Sequence, residues 1–93
     1  MDRNRVFKYY QDPGHGWIAV TKEEIEELGI QKAISHFSYL DKDYVYLEED
    51  CDAPMFIKAF FCKLGEEPKL QEIVSDNYSF IRGLKMYSPE SLI

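Results

Sequence analysis

Cysteine is scarce in this chain of 93 residues, which contains only Cys51 and Cys62. Ten residues separate the two thiols, and this separation fits no zinc-binding motif. Apolar runs are also short, well below the ~18 residues that a membrane-spanning helix needs. Residues 1–5 lead directly into a strand pattern, without the apolar region of a secretory signal. We therefore expect a cytoplasmic protein with reduced thiols and no membrane contact.

Basic residues are outnumbered, since 11 Lys and Arg stand against 17 Asp and Glu for a net charge of −6. The excess arises in residues 23–52, where ten acidic residues accompany only Lys32 and Lys42. Because phosphate binding needs clustered Lys and Arg, this distribution argues against nucleic acid as a direct ligand. It favours a protein partner that carries a basic surface.

Alternating and helical hydrophobic patterns together predict an α+β fold. Hydrophobic residues make up 45% and aromatic residues 15% of the chain, as in globular proteins. The expected order is ββαββαβ, a mostly antiparallel sheet with two helices packed on it. The predicted strands cover 6–10, 17–20, 37–40, 44–48 and a stretch starting near 69, and the helices follow Thr21 and cover 53–64. We expect one domain over 1–93, with a C-terminal extension from about 77 and a short tail from 88.

Several local signals predict how these elements begin and end. Pro13-Gly14 has the chemistry of a type II turn, and Thr21-x-x-Glu24 is a capping box. Gly29 and Gly65 are expected to end the two helices. Asp52 is a good N-cap residue for the second helix. That helix is apolar on most sides, which is typical of a helix central to a core or shared with a partner.

Four carboxylates, those of Glu48, Glu49, Asp50 and Asp52, follow one apolar strand within five residues. Such a cluster must be solvated or matched by a cation or a basic partner. Three interpretations stay open: a contact with a basic protein surface, a divalent-ion site, or a solvated strand end in which Asp52 caps its helix. The calcium-loop pattern is absent, because no glycine follows and no glutamate closes the loop.

The segment 12–17 combines a glycine-rich turn with an imidazole and an indole. Glycines let a partner approach the backbone, His15 can hydrogen-bond or titrate, and Trp17 can anchor a contact. The alternative is a tight turn whose tryptophan fills the core. Neither this segment nor Cys51 forms a known catalytic signature, and carboxylates beside the thiol raise its pKa and oppose thiolate formation. We assign no catalytic residue and no cofactor.

The motifs Asp12-Pro13-Gly14-His15-Gly16-Trp17 and Tyr46-Leu47-Glu48-Glu49-Asp50-Cys51-Asp52-Ala53 resemble a family of small proteins carried by bacteriophages, plasmids and other mobile elements. Leu28-Gly29-Ile30, Ile34-Ser35 and Ser38-Tyr39 add to the resemblance, which covers residues 6–64. The resemblance implies a genomic context and no activity. In that context, a role in dealing with the bacterial host is expected, including inhibition of a defence nuclease.

We therefore predict a non-enzymatic, acidic protein that binds another protein inside a bacterial host cell. The predicted contact surface joins His15 and Trp17 to Glu48, Glu49, Asp50 and Asp52, together with the glutamates of the first helix. One alternative is a small metal-binding protein or metal-dependent enzyme that uses Asp50, Asp52 and His15. A second alternative is a subunit of a homo-oligomer, such as a homodimer, in which helix 53–64 packs against a copy of itself.

Overall fold

The computed structural model describes residues 1–92, in which six strands and two α-helices follow one another along the chain. The elements are β1 (Val6–Gln11), β2 (Gly16–Thr21), α1 (Lys22–Leu28), β3 (Tyr39–Leu40), β4 (Tyr44–Glu48), α2 (Ala53–Leu64), β5 (Lys69–Val74) and β6 (Lys85–Met86). Short 3₁₀ turns cover Phe80–Gly83 and Pro89–Leu92. The predicted α+β class and the order ββαββαβ are confirmed, and β6 is an addition to them. Within the described residues, no helix has the length and apolar character required to cross a bilayer.

The six strands form one sheet in the order β5-β1-β2-β4-β3-β6. β1 and β2 form the predicted antiparallel hairpin, and β3 and β4 form the second one. β5 pairs with β1 in parallel, whereas the other described strand pairs are antiparallel. In the centre of the sheet β2 pairs with β4, and Trp17 lies directly opposite Glu48. The sheet therefore brings the segment 12–17 beside the acidic end of β4.

Strand alternation gives the sheet two different faces. One face carries Ile18, Val20, Val45 and Leu47 and packs against both helices. The other face, called here the open face, carries no α-helix. A separate cluster forms there around Trp17. The members of that cluster are Trp17, Ala19, Tyr46 and Ile81, with Tyr10, Tyr39 and Leu84 packed against them.

The chain between β5 and β6 crosses the open face from one edge of the sheet to the other, and we call residues 75–84 the crossing segment. Ile81 in this segment is fully buried against the sheet. After β6, the backbone N–H of Tyr87 donates to Ser38 O, and the Tyr87 hydroxyl donates to Gln31 O. The predicted C-terminal extension is therefore attached to the sheet at several points.

The helix ends follow the sequence signals closely. Thr21 Oγ1 accepts from the N–H of Glu24, whose carboxylate accepts from the N–H of Thr21, so the predicted capping box is confirmed. Gly29 and Gly65 end the helices with φ values of 69° and 76°. This left-handed conformation is one that glycine adopts at little cost.

The face of α2 that packs on the sheet is narrower than its sequence indicates. Ala53, Phe56 and Phe60 are buried, whereas Phe61 is 52% exposed and Cys62 is exposed. Phe56 and Phe60 both lie edge-on to Phe7 of β1, with ring centroids 5.1 and 5.7 Å away. Most of the apolar surface that suggested a shared helix is therefore used inside this chain.

Candidate functional site

A cleft of about 280 Å³ opens on the open face, where β2 begins and β4 ends. Four of the six residues that the sequence analysis selected line it: His15, Trp17, Glu48 and Asp50. The register of β2 and β4 explains this meeting, because Trp17 and Glu48 are direct cross-strand partners. The N–H of Glu49 also donates to Gly16 O at 3.0 Å. The segment 12–17 and the acidic strand end are thus neighbours in space.

Glu48 is held in place by the turn that follows it. Its Oε2 accepts from the backbone N–H groups of Asp50 and Cys51 at 3.0 and 2.9 Å. Its Oε1 lies 3.9 Å from His15 Nδ1, which is an ion pair only when the imidazole is protonated. One carboxylate oxygen is therefore fixed by the backbone, and the other is directed toward the imidazole.

Asp50 is the most accessible acid of the cleft. Its residue is exposed, and within residues 1–92 its carboxylate makes no hydrogen bond or ion pair. Its own backbone N–H donates to Glu48, which orients the turn. Asp50 therefore carries a charge that the described chain does not match.

Glu49 lies outside the cleft, so the structure separates it from the predicted set. Its Oε2 accepts from the hydroxyl of Tyr9 at 2.7 Å, on the helix-covered side of the sheet. Burial and then the hydrogen bond to this carboxylate raise the pKa of Tyr9 to about 12. Alternation along the strand end explains the separation, because Glu48 and Glu49 point to opposite faces.

Asp52 is also absent from the cleft, and although it occupies the predicted N-cap position of α2, its side chain makes no capping hydrogen bond. The residue is 3% exposed. Its carboxylate accepts from the N–H and hydroxyl of Ser35, at 3.0 and 2.7 Å, and from the hydroxyl of Ser38. It makes no hydrogen bond to the first turn of α2. Ser35 and Ser38, from the loop between α1 and β3, bind the carboxylate instead and so join that loop to the start of α2.

The glutamates of α1 belong to the other side of the molecule. Ile25 anchors α1 in the core of the helix-covered face, opposite the cleft. Glu24 pairs with Arg5 at 2.9 Å, and Glu27 pairs with the N-terminal ammonium group at 3.0 Å. The contact surface predicted from the sequence is therefore reduced to the cleft, without α1.

One wall of the cleft is fixed by a buried carboxylate that the sequence analysis did not select. The Asp12 side chain is fully buried, and Arg82 binds it in a bidentate manner, Nε to Oδ2 at 2.6 Å and Nη2 to Oδ1 at 2.9 Å. Backbone N–H groups of Gly14, His15 and Ser79 donate to the same carboxylate. The Arg82 guanidinium, assisted by these amides, holds the pKa of the Asp12 carboxyl well below its usual range.

This arrangement replaces the predicted type II turn. A type II turn needs a positive φ at its third position. Gly29 and Gly65 have a positive φ, and Gly14 does not. The side chain of Asp12 organises the turn instead, through its bonds to the N–H groups of Gly14 and His15. A Cβ at Gly14 would lie 2.9 Å from Arg82 Nη2, so the missing side chain makes room for the guanidinium.

Aromatic rings form the remaining walls. Phe37 and Tyr39 line the cleft with Trp17, whose ring centroid is 6.4 Å from that of Tyr39. Phe37 is 57% exposed at the mouth. The indole Nε1–H of Trp17 is buried and has no acceptor among the described residues. The cleft therefore combines aromatic walls with the carboxylates of Glu48 and Asp50.

Cys51 also lines the cleft, close to Glu48. Desolvation, then the hydrogen bond to Glu48 and the nearby carboxylates, raise the pKa of the Cys51 thiol. A raised pKa disfavours the thiolate, so the proximity of His15 and Cys51 does not create an activated nucleophile. Among residues 1–92, no three His, Cys, Asp or Glu side chains are placed to hold a metal ion. The structure does not bring Asp52 together with Asp50 and His15, because Ser35 and Ser38 bind the Asp52 carboxylate elsewhere.

Sequence reasoning missed the cleft residues Arg82, Phe37 and Tyr39 for a common reason. They reach the cleft through the crossing segment and through strand pairing between distant parts of the chain. No local motif marks such contacts, and Arg82 lies 70 residues from its partner Asp12.

No family model, curated protein or solved structure matches this chain.

Proposed function

We propose that this protein is a non-enzymatic binding protein whose cleft receives a cationic side chain from the basic surface of a partner protein. The observation that supports the proposal best is the pairing of two carboxylates with aromatic walls in one concave site. Asp50 has no cation of its own within residues 1–92, and Glu48 Oε1 has only the imidazole nearby. A basic side chain matches this lining in both charge and shape.

The charge of Arg82 does not cancel this preference. Its guanidinium is bound in a bidentate manner by Asp12, so the pair is neutral as a unit. Glu48 and Asp50 are then left as the unmatched charges of the cleft, and the net charge of −6 extends the negative potential around the molecule. Such a potential attracts a basic partner and increases its association rate.

A partner of this kind is a protein whose Lys and Arg residues normally contact nucleic acid. When the cleft and the surrounding negative potential occupy such a surface, they compete with phosphates for the same cations. The protein then acts as an inhibitor of its partner. The mobile-element context suggested by the sequence motifs is compatible with inhibition of a host defence protein, and it stays a prediction.

Trp17 supplies a direct measurement, because it is the only tryptophan of the chain and lines the cleft. We expect a peptide rich in Lys and Arg to change its fluorescence in a saturable way, and an acidic peptide of equal length to leave it unchanged. Affinity for the basic peptide should fall as salt rises, since exposed charges are screened.

Asp50→Asn and Asp43→Asn form a matched pair for this titration. Both aspartates are exposed, and they lie at opposite ends of β4, with only Asp50 in the cleft. We expect Asp50→Asn to weaken binding of the basic peptide and Asp43→Asn to leave it near the wild-type value. Equal effects of the two variants, or binding that is insensitive to salt, would contradict the proposal.

A further inference from the structure

We infer that the cleft selects arginine over lysine in its partner, an inference that rests on the proposed function. At about 280 Å³ the cleft is at the small end of the ~300–1,000 Å³ range typical of ligand sites, and it has room for one side chain. The proposed occupant is one arginine of a larger partner, placed beside the rings of Phe37 and Tyr39 and the carboxylates of Glu48 and Asp50.

The walls of the cleft suit a planar cation. A guanidinium group stacks on aromatic faces and donates to carboxylates through a rigid fork, whereas an ammonium group is a compact and strongly hydrated point charge. The exposed ring of Phe37 and the carboxylate of Asp50 stand at the same opening. An arginine that enters there contacts a ring and an acid with one flat group.

The chain itself pairs arginines with its rings. The guanidinium carbon of Arg5 lies 4.4 Å from the ring centroid of Phe7. The guanidinium carbon of Arg82 lies 4.5 Å from the ring centroid of Tyr78 and 5.7 Å from that of Trp17. No lysine takes such a position within residues 1–92. The guanidinium of Arg82 lies in the wall of the cleft, where the carboxylate of Asp12 binds it.

Three capped tripeptides test this selectivity: Gly-Arg-Gly, Gly-Lys-Gly and Gly-citrulline-Gly. Citrulline keeps the planar shape of arginine without its charge. With Trp17 fluorescence and chemical-shift changes as readouts, we expect the arginine peptide to bind about tenfold more tightly than the lysine peptide. The citrulline peptide should show no saturable binding over the same concentration range.

Two ring variants separate selectivity from folding. Phe37 and Phe80 are both 57% exposed, but only Phe37 lines the cleft, while Phe80 packs on Tyr10 and Tyr46 elsewhere on the open face. Phe37→Leu should bring the arginine-to-lysine ratio close to one, and Phe80→Leu should preserve it. Asp50→Asn should weaken the binding of both peptides.

The outcomes are distinguishable from a failure of the proposed function. Equal binding of the arginine and lysine peptides, with both weakened by Asp50→Asn, overturns the selectivity and leaves the proposed function standing. Saturable binding of the citrulline peptide also overturns it. Tighter binding of free L-arginine than of the capped peptide contradicts a partner residue as the occupant. If no cationic peptide binds, the proposed function itself is wrong.

Discussion

The guanidinium of Arg82 and the buried carboxylate of Asp12 form a bidentate ion pair that joins the crossing segment to the turn between β1 and β2. The wall of the cleft that His15 and Arg82 form depends on this pair. His15 follows Asp12 in the turn, and Arg82 is itself part of the cleft wall. Removing either partner should therefore affect the shape of the cleft as well as the stability of the fold.

We expect Asp12→Asn to lower the free energy of unfolding at pH 7, because it removes the charge that Arg82 binds. The pKa of Asp12 is lower in the folded protein than in the unfolded chain, so the unfolded chain binds more protons as the pH falls. The stabilisation that the ionised Asp12 gives the wild-type fold is therefore complete above the ordinary aspartate pKa of about 4. It is lost progressively below that value.

Urea unfolding at pH 7 and at pH 3 checks this prediction, with Asp43→Asn as a control for the loss of one exposed carboxylate. The difference between wild type and Asp12→Asn should be large at pH 7 and smaller at pH 3. A difference that does not change with pH would show that the carboxylate charge is not what stabilises the turn.

Asp50 and Asp52 lie two residues apart and should respond very differently to the same substitution. Asp52→Ala leaves the hydroxyl of Ser38 and the N–H of Ser35 without their acceptor, and we expect a loss of about 2–4 kcal/mol. Asp50→Ala removes an exposed side chain without a partner, and we expect a change within about 0.5 kcal/mol. Urea unfolding of both variants measures the contrast, and similar losses would contradict the assigned hydrogen bonds.

A comparison of Phe56 with Phe61 tests which face of α2 packs into the core. Phe56 is fully buried against Phe7, so Phe56→Ala should cost about 3–5 kcal/mol. Phe61 is 52% exposed, and Phe61→Ala should cost about 1 kcal/mol or less. Thermal or urea unfolding gives both values. A large effect of Phe61→Ala that depends on protein concentration would instead favour the alternative of a homo-oligomer formed through α2.

A comparison of Gly65 with Gly83 tests the effect of backbone conformation at positions without steric crowding. A Cβ at either position would meet no atom within 4 Å, but only Gly65 has a positive φ, of 76°. We expect Gly65→Ala to destabilise the protein by about 1 kcal/mol because alanine disfavours the left-handed region. Gly83→Ala should be neutral or stabilising by up to about 1 kcal/mol, through the unfolded state. Equal losses measured by urea unfolding would rule out the conformational explanation.

The sequence was most predictive where the signals were local. The capping box at Thr21, the glycine stops and the bounds of α2 all depend on residues within a few positions of one another. Hydrophobic alternation likewise predicted that strands would flank the turn before Trp17. For these elements, short-range hydrogen bonding and periodicity are sufficient.

Prediction was incomplete where side chains have competing partners. Asp52 occupies the N-cap position, yet Ser35 and Ser38 bind its carboxylate from a loop that no local pattern places there. In the same way, strand register brought His15, Trp17, Glu48 and Asp50 together, whereas it directed Glu49 to Tyr9. The cleft could thus be anticipated in part, and its aromatic walls and Arg82 required knowledge of tertiary contacts.

The position of β1 has a consequence for how this chain is made. One of the neighbours of β1 is β5, and each β1 residue pairs with a residue 63 positions further along the chain, as Val6 does with Lys69. Closing such a long loop is slow and entropically costly. We therefore expect nascent chains that stop before residue 69 to remain protease-sensitive. Native protection should arise only once residues 69–74 have left the ribosome and can pair with β1.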